Sequence, residues 1–370
     1  MTKPSPAVSG VSRRGFLRSA SGFGLLPALG LPFLAACGDV AQTSRAANGP
    51  GGRDFALLLP RTGEAAALGE NMARAASLVT QSGNIDRAPK IYDTQDTPEG
   101  SVAAARQAIE NGAKILLGPL RADQTAGVLA AAGNRPVITF SNDDSLAGSG
   151  AFVMGITPAQ SVATMFSYAR AQGLTRIALL SRAGPLGQAT EAAARTLAAA
   201  GGITITSALQ RAPGDSGLAR ALGDGNPQAV YLPEGGATLA AFAKALRNSD
   251  LQMIGSVQWG VADVTADANL DGAWFASPPP DLFLPFAAQF EATFGSQPGV
   301  VAALGHDAAL LAVGLGNGRG VTRQGIMRDA GFTGVLGPFR FLQNGQCQRD
   351  LAVLGLRGGN FTLLAEVSGT

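Results

Sequence analysis

From Asp54 onward the chain alternates short apolar runs with Ala-rich stretches of helical spacing, and it does so twice. That alternation constrains the fold strongly. A strand buried on both faces reads as an unbroken apolar run, and reaching its parallel neighbour requires a helical crossover. The first series places strands at Phe55–Pro60, Lys90–Asp93, Ala113–Leu117 and Pro136–Phe140, with helices at Ala65–Gln81, Pro98–Asn111 and Ala122–Ala132. The second places strands at Arg176–Ser181, Thr204–Ser207, Ala229–Leu232 and Met253–Val257. Its helices fall at Ala159–Gln172, Gly187–Ala200, Leu218–Leu222 and Thr238–Asn248. The expectation is an α/β chain of two doubly wound, Rossmann-like lobes. Ser277-Pro278-Pro279-Pro280 suits neither a strand nor a helix interior and marks a crossing between lobes. With another crossing near Thr157, it makes a multi-strand hinge. Helices follow at Leu282–Phe294 and Val301–Leu315, and the C-terminal stretch reads as an antiparallel meander turning at Asn344-Gly345 and Gly358-Gly359. The division is then 54–157 with 278–335 in one lobe, and 158–277 with 336–370 in the other.

The first 53 residues have a different character. Arg13, Arg14 and Arg18 precede an uncharged stretch, Ser19–Ala36, rich in Leu, Gly and Ala. Pro27 and Pro32 break it, and it falls short of the about 20 apolar residues that a spanning helix needs. The paired arginines before Phe16-Leu17 resemble a twin-arginine export signal, and Leu34-Ala35-Ala36-Cys37 resembles a bacterial lipobox. The resemblance implies a signal over 1–36, a lipid on Cys37 and a tether over 37–53, which would hold the protein to a membrane on the periplasmic side. The alternative is a plain secretory signal with an incidental Cys37.

Losing residues 1–36 removes four cations (Lys3, Arg13, Arg14, Arg18) and no acid, which moves the formal charge from +2 to −2. A chain so near neutral, without a Lys/Arg run, lacks the footprint of a nucleic-acid binder. Of two cysteines, only Cys347 remains beyond the tether, so no intramolecular disulfide is expected. The one histidine, His306, lies on an Ala/Leu-rich helix and reads as packed, and no metal or cofactor site is expected. Nor does any loop pair a nucleophile with a base, so no enzymatic activity is expected.

Ligands of open α/β sheets bind beyond the carboxyl ends of the strands. The loops there include Arg61-Thr62-Gly63, Pro119-Leu120-Arg121, Ser141-Asn142, Pro233-Glu234-Gly235 and Gln258-Trp259. Leu59–Gly63, Tyr92-Asp93-Thr94, Leu117–Leu120 and Val137–Asn142 resemble, in order, the type I periplasmic binding proteins of the leucine/isoleucine/valine-binding group. Phe140–Asp143 and Leu232–Gly236 look most like the branch called penicillin-binding protein activators. Such a resemblance implies a small polar ligand in a cleft between the lobes, and the strand-end loops offer Arg61, Thr62, Gly63, Arg121, Ser141, Asn142, Glu234, Gln258 and Trp259 to hold it. Arg121 stands where the family has a serine, and Gln258-Trp259 where it has an acid for the ligand's ammonium. Each bright residue also has a plain structural reading: Arg121 as a surface pair near Asp123, Trp259 as core, Glu234 as an acid at a helix start. The implied partner is either an ABC permease, for an amino-acid-like solute, or a peptidoglycan synthase.

Overall fold

The computed structural model describes residues 54–81, 89–215, 217–260, 264–316 and 320–369. The export signal, Cys37 and the tether therefore lie outside the described residues.

Five parallel strands form the first sheet in the order β2-β1-β3-β4-β5. They are β1 (Phe55–Leu59), β2 (Lys90–Asp93), β3 (Ile115–Leu117), β4 (Val137–Thr139) and β5 (Phe152–Val153). Helices α1 (Ala66–Gln81), α2 (Pro98–Glu110) and α3 (Ala122–Ala132) make the crossovers. Local sequence chemistry explains several boundaries. Thr97 caps α2 by accepting the Gly100 N–H, with Pro98 at the first turn where its missing N–H does no harm.

The second lobe opens with α4 (Pro158–Ala171), started by a complete capping box in which Thr157 and Gln160 bond each other's backbone N–H. Strands β6 (Arg176–Ser181), β7 (Thr204–Gln210), β8 (Ala229–Leu232), β9 (Gln252–Gly255) and β10 (Trp274–Ser277) are parallel, with α5 (Pro185–Gly201), α6 (Leu218–Gly223) and α7 (Gly236–Leu246) between them. β14 (Leu351–Arg357) and β15 (Asn360–Val367) add antiparallel strands beyond β10, giving the order β15-β14-β10-β9-β8-β6-β7. Leaving those two aside, both lobes repeat one strand order, as expected of two doubly wound units.

Three crossings join the lobes: Met154–Thr157 after β5, Pro278-Pro279 after β10, and Asp350 between β13 (Cys347–Arg349) and β14. After the second crossing, α8 (Pro280–Phe294) and α9 (Val300–Leu315) return to pack on the first sheet. A short α10 (Arg323–Ile326) precedes a three-stranded antiparallel sheet of β11 (Phe332–Gly334), β12 (Gly337–Phe341) and β13.

Here the sequence division needs correction. The sequence pattern places 336–349 in the second lobe, yet Leu336, Phe339, Phe341 and Cys347 are buried in the core of the first, with Phe152, Phe290 and Leu311. β12 alternates buried and exposed residues, so its apolar face covers that core. The chain regains the second lobe at Leu351, whose side chain lies in a core with Val162, Tyr231 and Ala276. His306 packs against Phe286 at 5.0 Å between ring centroids.

Candidate functional site

Strand order reverses at β2-β1-β3 and again at β7-β6-β8, so the carboxyl ends of β1, β3, β6 and β8 flank a crevice in each lobe. On the first-lobe side the loops bind one another. Asp93, ending β2, accepts the N–H groups of Arg61 (2.8 Å), Thr62 (3.3 Å) and Gln95 (2.8 Å) on Oδ1, and the Thr62 hydroxyl on Oδ2 (2.8 Å). Burial works to raise this carboxyl, but those donors together outweigh it and hold it below the usual range. Gln95 and Asp96 follow with φ of 52° and 55°, a left-handed pair uncommon for residues with side chains. The turn aims Asp96 at Arg121, which grips it from Nε (2.6 Å) and Nη2 (2.8 Å) in the strong bidentate geometry. Arg121 thereby holds Asp96 below the usual carboxylate range. Arg61 is drawn to Glu70 at 2.6 Å, and Gly63 sits so close to Asp96 that a Cβ would fall 2.7 Å from the Asp96 Cβ.

Arg61, Thr62, Gly63 and Arg121 are thus brought together at one lip, but their bonds go to their own lobe. The plain reading of Arg121 as a pair near Asp123 also changes: Asp96, 25 residues upstream, is the partner.

Across the cleft, Glu234 accepts the Arg182 N–H on Oε1 at 2.7 Å, which ties the loop after β8 to the loop after β6. Its Oε2 is buried without a hydrogen-bond partner, and burial raises the carboxyl above the usual range. Trp259 is not a cleft residue. It is 0% exposed, its Nε1 donates to Leu232 O at 2.9 Å, and its ring stacks on Phe275 at 5.7 Å. Gly255 makes this possible, because a Cβ there would lie 1.9 Å from the Trp259 ring. Gln258, one residue earlier, is exposed, as neighbours in a short turn face opposite ways.

The two lobes meet around a small cavity of about 10 Å³ beside the first crossing. Asn142 contributes from the first lobe; Ser161, Thr190, Tyr231, Ser256 and Gln258 contribute from the second. Such a space holds at most about one water, so a larger ligand requires the lobes to part. Its side chains carry hydroxyls, amides and apolar groups. Tyr231 is bound by Ser161, and burial, with the nearby Glu234 charge, pushes its phenol well above the usual range. The Ser256 hydroxyl donates to Pro233 O at 2.6 Å, whereas Thr190 Oγ1 has no partner. Ser141 lies just behind, buried, its Oγ accepting the Asp143 N–H at 3.1 Å.

Of the nine residues expected around a ligand, then, Asn142 and Gln258 line the junction and Ser141 and Glu234 support it. Ser161, Thr190, Tyr231 and Ser256 were not singled out from sequence. The signal for Ser161 and Thr190 was a hydroxyl on the buried face of an Ala-rich helix.

A two-lobed α/β fold of this kind matches what comparison with known proteins finds. A family model for periplasmic binding proteins matches residues 54–360. The chain belongs to the periplasmic binding protein family. Periplasmic binding proteins bind ligands rather than transform them, so the family agrees with the expectation of a chain without enzymatic turnover. The fold is shared with a protein of Rhodospirillum rubrum described as a branched-chain amino acid ABC transporter (TM-score 0.73, 21% identity, 84% of this chain and 99% of that one). It is shared too with a branched-chain amino acid ABC transporter periplasmic ligand-binding protein of Burkholderia xenovorans (TM-score 0.72, 15% identity, 85% and 95% covered). A solute-binding protein from R. palustris, solved with benzoate, aligns at TM-score 0.61 and 20% identity over 85% and 96% of the two chains. No curated protein sequence matches. Among the described residues no helix is long and apolar enough to cross a membrane, and no cluster of three or more potential metal ligands occurs.

Proposed function

We propose that this periplasmic binding protein is a solute receptor, held to the membrane through Cys37, that closes on a small polar, amino-acid-like molecule and presents it to an ABC-type permease. The observation that carries this reading is the convergence of Asn142, Tyr231, Ser256 and Gln258, at or near strand ends, with Ser161 in the first turn of α4, beside a hinge of three crossings. Hinged closure leaves each lobe rigid and absorbs the backbone change at such crossings. Thr190 Oγ1 and Glu234 Oε2, buried and without partners, are polar atoms that opening and a ligand would satisfy. Branched-chain amino acid transport and benzoate binding in proteins of this fold support a small carboxylate-bearing ligand.

A library of amino acids and small aromatic acids, screened by melting temperature and small-angle scattering, tests the proposal. A true ligand stabilises by mass action, about 2.7 kcal/mol at a hundredfold excess over Kd. Asn142→Ala and Gln258→Ala should weaken that response. If no compound shifts either measurement, the receptor reading fails. The competing reading, a scaffold that docks a peptidoglycan synthase, would then take its place. It is favoured by Arg61, Thr62 and Arg121 being engaged within their own lobe.

A further inference from the structure

Outside the cleft, a second and larger cavity of about 220 Å³ opens at the hinge. At roughly 30 Å³ of liquid volume per water, it has room for about seven waters. Asp144, Gln346 and Gln348 wall it from the first lobe, and Gln160, Thr164 and Ser167 of α4 from the second. Leu197 and Val367 add an apolar side.

Among the described residues that line this cavity, Asp144 and Arg349 carry charge, and of the two Asp144 has no ionic partner. Arg349 gives Nη1 to Asp307 Oδ2 at 3.0 Å, an ion pair that neutralises its charge, while its Nε and Nη2 are buried without a hydrogen-bond partner. Asp144 accepts the Ala159 N–H on Oδ2 at 3.3 Å and takes the Thr157 hydroxyl. None of the ion pairs among the described residues includes Asp144. A carboxylate half withdrawn from water, lacking a cation and lining a partly open cavity, is an uncompensated charge that a cation would stabilise. Burial, the largest influence on Asp144, accordingly raises its carboxyl above the usual range. The amides and hydroxyls around it are neutral, and the apolar side accommodates a short hydrocarbon body.

We propose that the hinge cavity is a second ligand site, separate from the strand-end cleft, that takes a small organic ammonium ion, its charge against Asp144 and its body against Leu197 and Val367. Thr157 lines this cavity and the cleft junction alike, so an occupant braces the crossing on which the lobes turn. The site stands on the cavity and its charge balance, independently of what the cleft binds.

Calorimetric titration of the full chain with n-butylammonium, 1-butanol and butyrate tests this. The expected result is saturable binding of butylammonium to one site, at least tenfold weaker binding of butanol, and none of butyrate. Asp144→Asn should weaken the amine at least tenfold, and Ser167→Phe should block it by filling the cavity while keeping Asp144. Ser167→Phe alone decides the matter if Asp144→Asn does not fold. Absence of saturable amine binding, equal binding of butanol, or binding that survives Ser167→Phe overturns the proposal. Loss of amine binding in Glu234→Gln with retention in Asp144→Asn would place the amine in the cleft and overturn it equally. Failure here leaves the amino-acid response of the cleft, and hence the receptor reading, untouched.

Discussion

Arg349 Nη1 lies 3.0 Å from Asp307 Oδ2, and both side chains are completely buried. Arg349 ends β13, one residue before the third crossing, and Asp307 sits on α9 and also accepts the Val335 N–H at 2.7 Å. The guanidinium lies over the Phe339 ring at 4.6 Å. This pair therefore anchors a hinge strand to the body of the first lobe.

Removing one partner should be costly. Asp307→Ala leaves a buried guanidinium unpaired and should destabilise by about 3–5 kcal/mol, whereas replacing both residues by apolar ones of similar volume should cost much less. Denaturant unfolding of the single and paired variants checks this. Equal losses would show that the charges are not coupled.

The packing of Trp259 under Gly255 gives a second expectation. Gly255→Ala pushes a methyl into the indole and should cost about 1–3 kcal/mol or more. Trp259→Ala should cost about 3–5 kcal/mol through the cavity it leaves. Gln258→Ala, on the exposed side of the same turn, should stay within about 0.5 kcal/mol. Thermal and chemical melts of the three variants separate core from cleft.

Two carboxylates should pull stability in opposite directions with pH. Asp96 is held below the usual range by Arg121, so its stabilisation is present above about pH 4 and is lost as pH falls through the lowered value. Asp144 is raised by burial, so the folded state favours its protonated form, and stability is lost as pH rises through the raised value. Between about pH 4 and 7, the melting difference between wild type and Asp96→Asn should hold in favour of wild type and shrink below that range. The difference against Asp144→Asn should move toward the variant as pH rises. Parallel pH profiles for the two variants would contradict both assignments.

Cys347 is buried, and burial pushes its thiol up to about 11. In a Cys37→Ser chain it is the remaining thiol. At pH 8 it should react with a disulfide reagent at least about a hundredfold more slowly in the folded protein than in denaturant. The same substitution should move the protein from the membrane fraction to the soluble fraction, and membrane association that survives it would refute the anchor.

Much of the architecture was legible in the sequence because its causes are local. Apolar runs and helical spacing placed β1 to β4 and α1 to α4 close to their bounds, and Thr97-Pro98 and Thr157-Pro158 with Gln160 wrote their helix starts within four residues. The loops that could carry a site followed from the strand ends. What each side chain does there was decided only by tertiary structure. Arg121 could not reveal that Asp96 would be turned toward it by two left-handed residues, nor Trp259 that Gly255 would leave room for its ring. β12 and β13 joined the first lobe because Phe339 and Phe341 found a core built by residues from Phe55 to Leu315. Hydrophobic period and capping act over a few residues, whereas the choice of partner and the enclosure of a cavity depend on surfaces that meet only once the chain has folded.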